Sequence, residues 1–180
     1  MRKLKEKEIK ELIDTIIIYV DTRESLPNHI TKCFDKYGVN WERKKLHSGD
    51  YSATLPQNDT YKTPEINLED ELCIERKMNC DEIIQNLTKY KERFYKEFER
   101  SCAEIPILIE DDFKNAATGN YRSVVTPKQF LGALFSFCRK NKTYFYFMED
   151  KNYSALWIYD LFKYEIRNRL KKYRDIWLKV

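Results

Sequence analysis

The segment "LCIERKMNCD", residues 72–81, joins a short apolar run to a dense set of charges. The apolar run Leu-Cys-Ile gives way directly to Glu75, Arg76 and Lys77, and Asp81 follows four residues after Lys77. A salt-bridged strand end would explain these charges, and so would a metal site with a cationic partner. The segment taken alone leaves both interpretations open.

Two other parts of the chain place an acid in a comparable position. The apolar run "IIIYVD" ends at Asp21, and Asp50 follows Gly49 at a turn between two strand-like stretches. Buried neighbouring carboxylates repel one another and lose hydration, a cost that a divalent cation removes. Mg²⁺ prefers oxygen ligands of this kind. Asp21, Asp50 and Glu75 would therefore form a metal site if their strands are neighbours, although each acid alone is a common strand-end or turn residue.

Strand geometry adds a cation to this hypothesis. Lys77 lies two residues beyond Glu75, so both side chains point to the same face of a strand. An ammonium group at that position can orient an attacking water or stabilise charge on a phosphate. Arg76 should point elsewhere, towards Asp81 or Glu24, as a supporting ion pair.

Length and composition limit the class of protein. The 180 residues are 42% apolar and 34% charged with a net charge of +4, which suits one folded domain. Five cysteines without C-x-x-C spacing and only two histidines predict reduced thiols and no structural zinc site. The charged start lacks the apolar core of a signal peptide, and no apolar run is long enough to span a bilayer. We therefore expect a soluble, cytoplasmic protein with no membrane contact.

The remaining pattern alternates strands with helices. The predicted strands are 15–21, two within 39–55, 71–77, 105–110 and 143–149, and the predicted helices are 27–38, 80–102, 126–140 and about 152–174, with a charged helix over 2–14 in front. The stretch 56–70 is predicted to be a loop or an irregular hairpin end, and 111–125 a polar loop. This order predicts an α/β fold, a mixed sheet with helices on both faces, in a single domain with its core over about 15–165.

Three motifs in order, "VDTRE" at 20–24, "GDY" at 49–51 and "IERKMNCD" at 74–81, resemble the XPF-type (ERCC-type) nuclease domain of structure-specific DNA endonucleases. That family carries V-D-x-R-E, then G-D, then E-R-K-x-x-x-D. It belongs to the PD-(D/E)xK group, so the resemblance implies a restriction-endonuclease-like fold.

The resemblance also implies roles for the matching residues. Asp21, Asp50 and Glu75 would hold Mg²⁺ or Mn²⁺, with the carbonyl of Arg76 as a further ligand, and Lys77 would act on the attacking water or the phosphate. The residues implied to complete the catalytic site are Arg23, Glu24, Arg76 and Asp81, with Arg93 near the scissile phosphate.

The chain departs from many members of this family at its C-terminal end. Those members add a tandem helix-hairpin-helix module, whose hairpins need glycines for tight turns. The last glycine here is Gly132, so no such module is expected. The chain resembles the shorter stand-alone versions found in phages and prophages.

The C-terminal helix is a candidate DNA-binding surface. It carries seven lysines and arginines from position 163 onwards against only Glu165 and Asp175. A basic stripe would bind phosphates without reading sequence; the candidates are Arg167, Lys171, Lys172 and Arg174. The alternative is an ordinary solvated helix face. The last two helices are equally candidates for a homodimer contact, because the family commonly dimerises through its nuclease domains.

These observations favour a metal-dependent DNA endonuclease that cuts branched DNA, such as flaps, forks or junctions, in repair, recombination or replication. One alternative is a Holliday-junction resolvase or a DNA-end-processing exonuclease on the same fold. Another is a non-catalytic DNA-binding subunit. A degenerate subunit usually lacks an acid or the lysine of the motif, whereas this chain retains all of them.

Overall fold

The computed structural model describes residues 4–25 and 28–176, with the side chains of 172–176 left out of the description. The elements in chain order are α1 (Glu6–Ile13), β1 (Ile17–Asp21), α2 (Asn28–Tyr37), β2 (Asn40–Lys44), β3 (Tyr51–Leu55), β4 (Ile66–Asn67), β5 (Glu75–Lys77), α3 (Cys80–Leu87), α4 (Lys91–Arg100), β6 (Ile107–Ile109), α5 (Phe113–Thr118), α6 (Pro127–Lys140), β7 (Phe145–Phe147), a 3₁₀ turn (Lys151–Tyr153) and α7 (Ser154–Ile176).

The strands form two groups, one with mixed pairing and one with parallel pairing. The first has the order β2-β1-β3-β4, with β1 parallel to β2 and antiparallel to β3. The second has the order β5-β6-β7, and both of its pairings are parallel. An antiparallel bridge between Tyr51 and Ile74 connects the two groups. The result is the mixed sheet that the sequence predicted.

Gly49 allows this connection. Its φ of +68° suits glycine, and a Cβ atom at this position would lie 2.8 Å from Cys73 Cβ and 3.0 Å from the carbonyl oxygen of Ile74. The absence of a side chain therefore lets the chain before β3 pass directly against the segment that enters β5.

Helices cover both faces of the sheet, as predicted. In β6, Leu108 packs into one buried cluster while its neighbours Ile107 and Ile109 pack into another. Successive strand residues point to opposite faces, so the sheet separates the two clusters. The cluster around Leu108 contains residues of α1, α2 and α7. The opposite cluster contains residues of α3, α4, α5 and α6.

Three local expectations were wrong. The predicted helix over 80–102 is divided into α3 and α4 by a break at 88–90, where the Thr88 hydroxyl donates to the Ile84 carbonyl and competes with helical bonding. The predicted loop 111–125 contains the short helix α5, which Asp112 caps. Only residues 75–77 of the predicted strand 71–77 form a regular strand.

A capping box fixes the N-terminal end of α6, at the predicted start of this helix. The Thr126 hydroxyl accepts from the Gln129 N–H, the Gln129 side chain accepts from the Thr126 N–H, and Pro127 occupies the first helical position. Within the described ranges, none of the helices combines the length and apolar character that crossing a bilayer would require.

Replacing Gly49 with alanine should destabilise the protein by about 2–4 kcal/mol, because the new Cβ combines an unfavourable positive φ with a steric clash. Gly38→Ala is the matched control. Gly38 has a similar φ of +66°, but a Cβ atom added there would meet no neighbouring atom of the described residues within 4 Å. Chemical denaturation should show a clearly smaller loss for the control, and equal losses would contradict a steric role for Gly49.

Candidate active site

Backbone hydrogen bonds bring the three predicted acids together. The Asp21 N–H donates to the Asp50 carbonyl at 2.8 Å, and the Asp50 N–H donates to the Ile74 carbonyl at 2.8 Å. The Arg76 N–H donates to Asp50 Oδ2 at 2.7 Å. Asp21, Asp50 and Glu75 consequently line one cavity of about 380 Å³, called here the acid cavity.

The Asp21 carboxylate accepts four hydrogen bonds from other groups of the protein. Its Oδ1 accepts from the backbone N–H and the Nε of Arg23, at 2.6 and 2.8 Å. Its Oδ2 accepts from Arg23 Nη2 at 3.0 Å and from the Leu46 N–H at 2.7 Å. Burial raises the pKa of Asp21, but these hydrogen bonds outweigh it, so the pKa lies below its ordinary value.

Asp50 is in the opposite electrostatic situation. Burial raises its pKa well above the ordinary value, and the neighbouring carboxylates of Glu75 and Glu24 raise it further. Lys77 and the Arg76 N–H offset this effect only in part. The protein therefore stabilises the negative charge of Asp50 only in part. A bound cation would supply the missing stabilisation.

Lys77 lies on the same face as Glu75, as strand alternation predicted. Its Nζ donates to Glu75 Oε1 at 2.5 Å and lies 3.9 Å from Glu82 Oε1. Burial lowers the pKa of Lys77, but Glu75 and Asp50 raise it more strongly, so the side chain stays protonated. Without a bound metal ion, Lys77 is thus a charged hydrogen-bond donor.

Arg76 points away from the acid cavity. Its guanidinium binds Glu24 Oε1 and Glu110 Oε2, the latter at 2.7 Å, and His29 Nε2 lies 2.6 Å from Glu110 Oε1. Glu24 was one of the two partners predicted for Arg76. Glu110 was missed, although it ends the apolar run "IPILIE" in the same way that Asp21 ends its own run.

Asp81 does not bind Arg76. Its carboxylate accepts from the N–H groups of Arg122 and Ser123, each at 3.0 Å. Asp81 therefore holds the loop before α6 and is not among the residues that line the acid cavity.

Glu97 is a cavity residue that the sequence analysis missed. Burial raises its pKa, and the nearby carboxylate of Glu75 raises it further. Glu97 lies four residues after Arg93, and both line the acid cavity because this spacing places them on the same helix face. The four-residue spacing from Arg93 was the signal in the sequence that could have identified Glu97.

The two described residues of the predicted basic stripe on α7 are both paired with Glu6. Arg167 Nη2 lies 3.0 Å from Glu6 Oε2, and Lys171 Nζ lies 3.5 Å from Glu6 Oε1. The side chains of Lys172 and Arg174 lie outside the described residues.

The donor set suits a hard divalent cation held by few protein ligands. Mg²⁺ commonly takes one or two carboxylates and completes its shell with waters and phosphate oxygens. Asp50 and Glu75 provide such a pair. Among the described residues, however, no three acidic, histidine or cysteine side chains are arranged to hold a metal ion. Asp21 lines the same cavity, and its carboxylate already accepts four hydrogen bonds from Arg23 and Leu46.

Comparisons with known proteins agree with this architecture. The sequence matches a family model described as the ERCC4 domain over residues 20–161. No curated protein matches the chain. The structure is similar to XPF from Aeropyrum pernix, with a TM-score of 0.60 and 20% identity over 88% of this chain and 69% of that chain. For the same protein in complex with DNA, the values are 0.60 and 18% over 84% and 66%. At these identities the likeness concerns the fold, and it confirms the predicted mixed sheet flanked by helices.

Asp50→Asn should stabilise the protein when no metal is present. The pKa of Asp50 is raised, so its ionised form opposes folding above the raised pKa, and this penalty disappears below the ordinary pKa. We expect a gain on the order of 1 kcal/mol, or about 2–4 °C in melting temperature, at neutral pH. The gain should shrink as the pH falls, whereas the exposed control Asp59→Asn should show no such trend. A loss of stability in Asp50→Asn at neutral pH would contradict the assignment.

Asp21→Asn should have the opposite effect. The lowered pKa of Asp21 means that its ionised form stabilises the fold above the ordinary pKa, and that this contribution is lost as the pH falls through the lowered value. Because the amide cannot accept all four hydrogen bonds, we expect a loss of about 1–3 kcal/mol at neutral pH. Urea denaturation at neutral and acidic pH measures this loss, and an Asp21→Asn variant as stable as the parent would contradict it.

Proposed function

Because this chain belongs to the ERCC4-domain family, we propose that it is a DNA endonuclease that hydrolyses phosphodiester bonds and depends on Mg²⁺ or Mn²⁺. The observation that carries this proposal is the acid cavity, where Asp50 and Glu75 lie beside a single buried ammonium group, that of Lys77. Such a cluster weakens the fold, and clusters of this kind are typical of functional sites.

The carboxylates of Asp50 and Glu75, with the carbonyl of Arg76, would hold the metal ion. When bound, the ion would neutralise the carboxylates, lower the pKa of a water molecule and polarise a phosphate oxygen. We assign Asp21 a positioning role, because its carboxylate holds the Arg23 guanidinium at the cavity.

The protein's own cations would act on the phosphate. Lys77 lies beside Glu75 in the cavity, so it would donate a hydrogen bond to the attacking water or to a non-bridging phosphate oxygen. Arg23 and Arg93 line the same cavity from its exposed side and would bind phosphate oxygens. Arg76 would support the site indirectly, since its bonds to Glu24 and Glu110 hold β5 in place.

We infer that branched DNA is the substrate class, as flaps, forks or junctions. The support is the motif pattern of the XPF-type nuclease domain and the likeness in fold to an XPF protein studied in complex with DNA. A junction resolvase and an end-processing exonuclease would use the same cavity, so only the geometry of the preferred DNA separates them. A panel with a flap, a fork, a four-way junction and a linear duplex makes this comparison.

Glu75→Gln and Asp50→Asn should each reduce cleavage of the preferred DNA on the order of 10²–10³-fold in Mg²⁺, because each removes a charge from the metal and phosphate site. Binding of the same DNA in chelator should stay within a small factor of the parent. Glu99→Gln is the matched control, since Glu99 lies on α4 but pairs with Lys140 on the surface. Full cleavage by Glu75→Gln, or cleavage by the parent in chelator, would rule out the proposed mechanism.

A further inference from the structure

A groove along α4 lies beside the acid cavity. This α4 groove has a volume of about 1130 Å³. Arg23, Tyr90, Arg93 and Glu97 line both the groove and the acid cavity, so the two are adjacent. A polymer lying in the groove would therefore pass next to the cavity that contains Asp50 and Glu75.

The α4 groove is strongly basic. Six lysines and arginines line it against three acids, whereas the whole chain is nearly balanced at +4. The basic residues are Arg23, Lys89, Lys91, Arg93, Lys96 and Arg100. A concave surface with this charge concentrates polyanions.

Two cations of the α4 groove, Lys96 and Arg100, are available to a ligand, unlike the described cations of α7. Lys96 and Arg100 are exposed, and within the described part of the chain no acid forms a salt bridge with either. On α7, Arg167 and Lys171 bind Glu6, and Arg169 binds Glu71. A phosphate would have to break these pairs to bind Arg167, Arg169 or Lys171, whereas at Lys96 and Arg100 it would displace only water and counterions.

Helical spacing aligns the groove cations in one row. Arg93, Lys96 and Arg100 follow each other at i, i+3 and i+7, which is one face of a helix. Phe94 and Phe98 are buried on the adjacent face and hold α4 in place. Glu97 on the same face offsets part of this positive charge, and the remaining excess would attract a row of phosphates. The ten residues of α4 extend over about 15 Å, the axial rise of about four nucleotides of one strand in B-DNA.

We propose that the α4 groove binds the sugar–phosphate backbone of the DNA strand that is cut, over about four nucleotides on one side of the scissile phosphate. This inference rests on the proposed nuclease function, because it assigns that strand to the groove. It places the main DNA-binding surface on α4, where Arg93 was already expected near the scissile phosphate, rather than on α7.

The test compares two double variants by fluorescence anisotropy with labelled flap DNA, in chelator and in the Glu75→Gln background so that no cutting occurs. Lys96→Gln/Arg100→Gln should weaken binding about tenfold or more at low salt. It should also make the slope of log K against log salt concentration less steep by about 1.4–1.8, which corresponds to two lost phosphate contacts.

The matched control is Lys32→Gln/Lys36→Gln on α2, which removes the same charge from exposed lysines outside the groove. It should leave the salt slope unchanged. Exchanging the two groove cations, as Lys96→Arg/Arg100→Lys, keeps the charge and should therefore retain the binding of the parent. Melting temperatures check that every variant is folded.

Equal weakening in the groove and control variants, or an unchanged salt slope in the groove variant, would overturn the inference. Failure of the nuclease proposal would look different. In that case the parent would cut no DNA with Mg²⁺ or Mn²⁺, while binding would still depend on Lys96 and Arg100.

Discussion

The pairing of the chain around Asp50 is the constraint on which the rest of the structure depends. Asp50 accepts a backbone bond from Asp21, donates one to Ile74, and receives the Arg76 N–H on its side chain. These bonds connect the two groups of strands, and the same bonds place the acids side by side. Gly49 makes the close approach possible, since a side chain there would meet Cys73. Fold and site therefore share one structural cause.

The acids at this junction contribute to the protein in opposite ways. Asp21 is stabilised by four hydrogen bonds and strengthens the fold, whereas burial and the carboxylates of Glu75 and Glu24 disfavour the ionised form of Asp50. Arg76 has its own partners in Glu24 and Glu110. Asp50 therefore has the destabilising environment of a functional residue, whereas Asp21 is a structural residue with all its hydrogen bonds made. Destabilised acids of this kind are typical of sites that bind a cation or a charged substrate.

The local sequence pattern was sufficient to predict most of the helices and strands. β-branched runs marked β1 and β6, and the Thr126–Gln129 capping box marked the start of α6. The helical pattern over 80–102 did not reveal the break at Thr88, where the hydroxyl bonds to the Ile84 carbonyl and α4 begins three residues later. The local pattern also failed for Asp81, because the loop that this acid binds lies about forty residues further along the chain.

The sequence by itself determined the fold class, the order of the elements, the family resemblance and the set of acids and cations from which a site is built. Only the tertiary structure decided which of those charges remain available. Arg167 is paired because Glu6 lies beside it in space, although 161 positions separate the two residues, while Lys96 and Arg100 have no such neighbour in the described chain. The physical reason is that charge availability depends on neighbours in three dimensions, and such neighbours leave no periodic signal in a sequence.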